Sequence, residues 1–104
     1  MSDFCVVMTT AASDEAVQRL IDAALEGKLA ACVQALPIKS HYVWEGEIKR
    51  EAETLLLVKA KAADYAALEA TIRAAHDYET PEILRLDVAA GLPAYLDWIV
   101  NSTR

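Results

Sequence analysis

Four side chains that can bind protons, metals or ligands stand together in the stretch AHDYETPEI, which runs from Ala75 to Ile83; they are His76, Asp77, Tyr78 and Glu79. Imidazole, carboxylate and phenol groups at this spacing could form a binding site. The stretch also joins a helix-like pattern to a strand-like one, so a plain turn is the alternative. For His76 three roles stay open: a contact with the last carbonyls of the helix, a metal ligand, or a small-molecule contact.

Two aromatic residues and a lysine elsewhere are further candidates for binding. Tyr42 and Trp44 suit a subunit contact, or a ligand-stacking wall in a cleft between subunits. Lys59 ends a strongly apolar strand, so its ammonium group needs a route to water or an anionic partner such as Glu45, Glu79 or Glu82. In the cleft interpretation, five side chains would line the site: Tyr42, Trp44, Lys59, Tyr78 and Glu79.

The remaining reactive side chains give little support for catalysis. Cys5 and Cys32 lie in apolar runs without CxxC or CxxH spacing, so we expect buried thiols, with neither a disulfide framework nor a zinc site. We expect His41 at the surface or in an interface, where it is a weak metal candidate. The turn TTAAS, Thr9 to Ser13, has neither an arginine nor a glycine-rich loop that could bind a phosphate. An apolar environment would lower the reactivity of the Cys32 thiol as a nucleophile. We therefore expect a protein that is not an enzyme.

Composition narrows the choice of partners. The chain has 104 residues, 55% of them apolar, which fits one domain over residues 1–104. Its net charge of −6 disfavours nucleic acid and anionic membranes, which are recognised through excess Lys and Arg. The start has no basic segment followed by a long apolar one, and no apolar run approaches the ~20 residues needed to cross a bilayer. We expect a cytoplasmic protein with no obligatory cofactor.

The spacing of apolar residues predicts the element order β-α-β-β-α-β, followed by a last helix. Glu45-Gly46 is a turn signal that makes the second and third strands one long hairpin, part of which should overhang a domain of this size. Pro37 is expected to mark a bulge or a bend in the second strand. The predicted strands are Phe4–Thr10, Leu29–Leu36 resumed after Pro37 as Ile38–Trp44, Glu47–Lys61 and Glu82–Val88. The predicted helices are one capped by Ser13 and ended by Gly27, a second over Ala63–Ala75, and a last one beginning at Pro93.

This order predicts an α+β fold, the ferredoxin-like βαββαβ sandwich with an extra carboxyl-terminal helix. Right-handed crossovers place both crossover helices on one face of the sheet, so the other face is left bare. Yet FCVVM (Phe4–Met8) and TLLLV (Thr54–Val58) are apolar at successive positions, which is typical of strands buried on both faces. A monomer rarely exposes so large an apolar patch, so we expect self-association through this face, with the hairpin clasping a neighbour.

Several motifs also resemble a known family. The segments LAACV (Leu29–Val33), SHYVWEGEI (Ser40–Ile48), TLLLVKA (Thr54–Ala60), HDYETPEI (His76–Ile83) and YLDWI (Tyr95–Ile99) are similar to CutA, the divalent-cation tolerance family. The resemblance spans nearly the whole chain. It implies a ferredoxin-like, PII-like homotrimer associated with copper and other divalent metal ions.

The sequence departs from the family pattern where a copper site would lie. Many members have His-Pro-Tyr where this chain has His76-Asp77-Tyr78, and some have a second His in place of Ala75 or a Cys in place of Thr10. A lone imidazole with carboxylates can bind Cu(II) or Zn(II) but lacks the softness needed for tight Cu(I) binding. We expect modest affinity through His76, Asp77 and Glu79, unless Cys32 or a neighbouring subunit contributes. The alternative is a PII-like signalling or scaffold module that binds a small molecule or a protein in the intersubunit cleft.

Overall fold

The strand-like runs form one antiparallel sheet, and two helices pack on one of its faces. The computed structural model describes residues 2–104, and the strand order is β2-β3-β1-β4. This arrangement confirms the predicted ferredoxin-like α+β fold. In chain order the elements are β1 (Phe4–Ala11), α1 (Asp14–Glu26), β2 (Cys32–Trp44), β3 (Glu47–Lys61), a 3-10 turn (Ala62–Asp64), α2 (Tyr65–Ala75), β4 (Ile83–Asp87) and α3 (Pro93–Ser102).

The ends of α1 follow from local chemistry. The Ser13 side chain accepts a hydrogen bond from the Ala16 amide at 3.1 Å, which satisfies one of the free N–H groups at the start of the helix. Gly27 ends the helix as predicted, but its own φ is −74°. The left-handed conformation falls on the next residue, Lys28, with φ of 54°. Two backbone N–H groups then return to the last turn, because both Leu29 and Ala30 donate to the Ala24 carbonyl.

The β2–β3 hairpin is regular along its whole length. Its two-residue turn has positive φ at both Glu45 and Gly46, 51° and 79°, as a tight hairpin turn requires. The register runs without a break from Cys32 opposite Lys59 to Trp44 opposite Glu47, so the expected bulge or bend at Pro37 is wrong. Because β2 is an edge strand, a proline whose missing N–H would face away from β3 costs no ladder bond. The longest dimension of the molecule, 44 Å, confirms the overhang.

The core lies between the sheet and the two helices. Alternate residues of β1 and β3 point toward the helices and are buried, among them Val7, Leu56 and Val58. From the helix side, Leu20 of α1 and Leu68 of α2 are equally buried. This single cluster supplies the hydrophobic stabilisation of the chain and fixes the ends of β1 and α2, from which the candidate site is built.

The opposite face of the sheet, called the outer face below, is only partly covered. It is formed by the other alternate residues, and Leu36, Leu84 and Leu86 are 40%, 54% and 51% exposed. Helix α3 covers part of it, since Ile99 is buried and the Tyr95 ring lies 5.7 Å from the Lys59 ammonium. The prediction that this chain leaves apolar side chains bare on one face is confirmed.

Among the described residues, no helix is long and apolar enough to span a bilayer.

Candidate functional site

A depression on the surface lies between the hairpin and the turn that joins α2 to β4, and is called the groove below. Its volume is about 910 Å³, which falls within the range of small-molecule sites. One wall is the outer-facing side of the β2–β3 hairpin, and the other is the turn over residues 77–82. The groove is lined by Thr10, Ser40, His41, Tyr42, Trp44, Lys49, Glu51, Glu53, Asp77, Tyr78, Glu79, Thr80, Pro81 and Glu82.

His76 holds the turn in place from behind the groove. Its side chain is fully buried; Nε2 lies 2.7 Å from the Thr10 carbonyl oxygen, and Nδ1 accepts the Tyr78 amide at 3.1 Å. A carbonyl can only accept, so Nε2 is the nitrogen that donates to Thr10, while Nδ1 accepts from Tyr78. The Asp77 carboxylate lies 3.5 Å from Nδ1. A metal ion bound at either ring nitrogen would have to displace one of these hydrogen bonds.

Two phenol groups fix two carboxylates along the hairpin wall. Tyr78 donates to Glu53 Oε2 at 2.7 Å, and Tyr42 donates to Glu51 Oε1 at 2.8 Å. Burial, followed by the hydrogen bond to Glu53, raises the pKa of Tyr78 well above its usual range. The hydrogen bond to Glu51 likewise raises the pKa of Tyr42. Both phenols therefore stay protonated at neutral pH and continue to donate to the carboxylates.

The groove is strongly acidic. Five carboxylates line it, and the single lysine among the lining residues, Lys49, is paired with Glu47 at 3.1 Å. Glu51 and Glu53 lie on the strand wall, while the other three lie on the turn; these are Asp77, Glu79 and Glu82. A groove of this charge attracts cations and repels anions such as phosphates.

The structure brings together part of the predicted cleft. Tyr42, Trp44, Tyr78 and Glu79 all line the groove. Lys59 does not, because it points from the outer face toward Tyr95, and it is paired with none of Glu45, Glu79 or Glu82 in the part of the chain that the structure describes.

The predicted metal ligands are less close to one another. Asp77 and Glu79 share the groove, with His76 behind them, whereas Cys32 lies opposite Lys59 at the far end of β2. Within residues 2–104, no three His, Cys, Asp or Glu side chains converge well enough to hold a metal ion. A site assembled from these residues in one chain therefore offers at most two ligands, and metal binding through them stays a prediction.

The cysteines occupy different environments. Cys5 is buried in the core as expected, and burial raises the pKa of its thiol. Cys32 is only half-buried on the outer face, so the expectation of a fully buried thiol is wrong for this residue. The two are not joined in a disulfide.

Glu51 and Glu53 line the groove, although their local sequence does not mark them as site residues. They stand in the charged run EIKREAE, which looks like an ordinary solvated strand surface. The available signal was their alternation: the two glutamates are two residues apart on one strand, so both face the same side as Tyr42. Their partner Tyr78 is 25 residues away in the chain, and no local pattern reveals that contact.

Comparisons with known proteins agree on one family. The model of the CutA1 divalent ion tolerance protein family matches residues 5–102. Divalent-cation tolerance protein CutA of Pectobacterium atrosepticum is 39% identical over the full chain and 96% of its own length. Chloroplastic protein CutA 1 of Oryza sativa is 41% identical over 95% of the chain, but the chain spans only 56% of that plant protein.

Solved structures give the same result. The divalent cation tolerance protein of Thermus thermophilus superposes with a TM-score of 0.92 at 38% identity, covering 97% of this chain and 99% of that one. The CutA1 structure from Oryza sativa gives 0.93 at 39% identity, covering 99% and 95%. The matching family model, these identities and the shared fold show that the chain belongs to the CutA1 family of divalent ion tolerance proteins.

Proposed function

We propose that the chain works as a homotrimeric, cation-responsive binding protein that takes up Cu(II) or related divalent ions weakly at the acidic groove. The observation that carries this proposal is the excess of carboxylates in the groove over its single, already paired lysine. The family's association with divalent-cation tolerance supports it. The role is binding, with no catalytic step.

The trimer is proposed from the outer face. Leu84 and Leu86 are half-exposed on the edge strand β4, and Leu36 is exposed on the other edge strand, β2. Removing such area from water stabilises an assembly by roughly 25 cal/mol for each Å² buried. A trimer that packs outer faces inward would cover these leucines and let each overhanging hairpin contact a neighbour.

The metal ligands we propose are Asp77 and Glu79, with His76 and Cys32 as further ligands when rearrangement or a neighbouring subunit permits. Carboxylate oxygens alone bind copper less tightly than nitrogen or sulfur donors do, so weak affinity follows from the ligand set. His76 has a second role in this proposal, because its hydrogen bonds to Thr10 and Tyr78 position the turn that carries both carboxylates.

Isothermal titration of metal-free protein with Cu(II) tests the proposal. We expect the double variant Asp77→Asn, Glu79→Gln to bind at least tenfold more weakly than the wild type. Glu26→Gln, at an exposed position of α1 outside the groove, is the matched control and should bind as the wild type does. His76→Ala is measured together with its melting curve, because this substitution also removes the hydrogen bonds that position the turn. Equal affinity of the double variant and the wild type would remove the proposed site.

A second candidate function is a PII-like signalling or scaffold module that binds a small molecule or a protein segment in the groove. Tyr42 and Trp44 favour it, because both line the groove while more than a third of each side chain remains exposed. A thermal-shift screen with small metabolites separates it from the first candidate: a hit that is lost in Trp44→Leu and kept after metal removal supports the module. Pull-down of a protein from a cell extract without added metal would support the scaffold form.

We place the protein in the cytoplasm, as the sequence analysis predicts. The names of relatives point to different compartments, since the rice protein is called chloroplastic and a solved structure from Archaeoglobus fulgidus is called periplasmic. Fractionation of the native host with an antibody against the chain would test the placement.

A further inference from the structure

Helix α3 has few contacts of its own with the rest of the chain. Within Pro93–Ser102 the single buried residue is Ile99, and it is not part of the core cluster between the sheet and the other two helices. No side chain caps the start of this helix, where Leu92 occupies the N-cap position. A helix of ten residues is too short to be stable in water by itself. Contacts outside the helix must therefore help to keep α3 on the sheet.

Arg104, which follows shortly after the helix, supplies such contacts. Its backbone N–H donates to the Lys28 carbonyl at 2.9 Å, and its backbone oxygen accepts a hydrogen bond from Lys61 Nζ at 2.6 Å. Its guanidinium donates from Nε to Asp64 Oδ1 at 3.3 Å. Thr103 is the one residue between α3 and Arg104, so these bonds act directly on the end of the helix. They join α3 to the end of β3 and to the loop after α1.

Asp64 makes this contact in place of a helix cap. It occupies the N-cap position of α2, where an aspartate normally accepts a hydrogen bond from an N–H of the first turn, but its side chain makes no such bond. The residue is 8% exposed, and Oδ2 has no hydrogen-bond partner among the residues that the structure describes. Two cations face the carboxylate: Arg104 at Oδ1, and Lys61 Nζ at 3.9 Å from Oδ2. The charge of a buried carboxylate is thus balanced in part by the segment that follows α3.

This group of charges lies at the edge of the folded core, where water reaches it. The Arg104 side chain is 56% exposed, whereas the Asp64 side chain is 12% exposed. An ion pair with one wet partner is weakened by dissolved salt. The core cluster under α1 and α2 contains none of Lys61, Asp64 or Arg104. The contact is therefore able to break without loss of that core.

We propose that Lys61, Asp64 and Arg104 form a latch that holds α3 closed over the outer face, and that release of this latch lets α3 open as a unit while the sheet, α1 and α2 stay folded. In the closed position the Tyr95 ring lies 5.7 Å from the Lys59 ammonium group, so opening uncovers this part of β3. The latch therefore controls which outer face a copy presents. Its effect on assembly rests on the homotrimer proposed above, whereas the opening of α3 does not.

Hydrogen exchange of the full-length protein, measured by mass spectrometry, tests the latch. Asp64→Asn keeps the shape of the side chain and removes its charge, so the amides of α3 should exchange at least fivefold faster while those of β1 and β3 exchange as in the wild type. Asp87→Asn is the matched control, because it breaks the 2.6 Å ion pair with Arg85 on β4, outside the latch, and should leave α3 unchanged. Unchanged exchange of α3 in Asp64→Asn, or an equal rise over the whole chain, overturns the proposal.

Arg104→Gln is the second variant, because this exposed side chain is replaceable without disturbing the core. It should speed exchange of α3 as Asp64→Asn does, and the double variant should add little to either single one, since both substitutions break the same contact. NaCl at about 1 M shortens the screening length to roughly 3 Å and should speed exchange of α3 in the wild type more than in Asp64→Asn. Full additivity of the two substitutions, or equal salt dependence of the two proteins, contradicts the latch.

The mass of each protein in solution, measured over a range of concentrations, separates this inference from the proposed trimer. If the wild type is a trimer, Asp64→Asn should dissociate at a concentration at least fivefold higher, because an open α3 changes the outer face. A variant that opens α3 and still assembles with unchanged affinity overturns the control of assembly and supports the latch alone. A wild type with the mass of a single chain overturns the trimer, and the exchange measurement then decides the latch by itself.

Discussion

The two faces of the sheet differ more than their sequences suggest. Adjacent residues of a strand point to opposite sides of the sheet. Val7 of β1 and Leu56 of β3 are buried under the helices, whereas Leu84 and Leu86 of β4, on the outer face, stay half-exposed. The apolar content of β1 and β3 is similar on both sides. The difference teaches that the helices of the chain cover one face, and that the other face is suited to being covered by another molecule.

The groove lies between the buried part of the molecule and the exposed outer face. Its strand wall continues the outer face along the overhanging hairpin, but its polar side chains replace leucines with glutamates. Its other wall is tied back to the core, because His76 binds the Thr10 carbonyl at the buried end of β1. The site therefore combines a firmly anchored turn with an exposed hairpin.

The largest effect is expected from a charge placed on the outer face. Leu84→Glu should abolish assembly, because a carboxylate buried there without a partner costs on the order of 3–5 kcal/mol per copy. Sedimentation velocity would show a smaller particle with unchanged circular dichroism. Leu25→Glu, an exposed position on α1, is the control and should assemble normally. Wild-type mass in Leu84→Glu would mean that the outer face is not an interface.

A core truncation should weaken folding on the helix side. Leu68 is 0% exposed, so Leu68→Ala should lower the free energy of unfolding by about 3 kcal/mol through lost transfer energy and the cavity left behind. Denaturant unfolding at one fixed protein concentration measures this change. Leu25→Ala, on the exposed side of α1, should cost less than about 1 kcal/mol. Similar losses in the two variants would contradict the assignment of this core.

Sequence patterns predicted the fold well where neighbours in the chain decide the structure. Ser13 caps α1, Glu45 and Gly46 form the hairpin turn, and the helices bury their periodic leucines. The prediction of a bulge at Pro37 was wrong because an edge strand accommodates a proline without loss of a ladder hydrogen bond. Whether a strand lies at the edge depends on the strand order, which a single position in the sequence does not reveal.

The candidate site was predictable in its residue types and not in its contacts. His76 was recognised as reactive, but its partner is the Thr10 carbonyl, 66 residues away. Lys59 was expected to reach water or an anionic partner, and the structure places its ammonium group near the Tyr95 ring, which belongs to the last helix. Such pairings depend on how distant elements pack, so the spacing of residues in the chain does not contain them.

The anchoring of the turn is the next difference to test. His76→Ala removes two buried hydrogen bonds, one to the Thr10 carbonyl and one from the Tyr78 amide, so we expect a loss of about 2 kcal/mol in the free energy of unfolding. His41→Ala, an exposed histidine on the hairpin, should change stability by less than about 0.5 kcal/mol. Amide exchange should also speed up at Tyr78, whose N–H binds His76 Nδ1. Equal stability of the two variants would show that His76 does not hold the turn.

The smallest effect is expected from alkaline pH. The raised pKa of Tyr78 means that the folded chain holds this proton more tightly than the unfolded chain does. The associated stability is complete below the pKa of an unfolded tyrosine, about 10, and is lost as pH rises through the higher folded value. Tyr78→Phe should cost about 1 kcal/mol at neutral pH and flatten the decline between pH 10 and 11. An unchanged alkaline slope in that variant would assign the decline to other groups.

The mass of the wild-type protein in solution tests the central claim most directly, because we propose that copies of the chain cover one another's bare outer face. Light scattering at micromolar concentration should give three times the 11.4 kDa of one chain. A soluble, compact particle with the mass of a single chain would contradict the account.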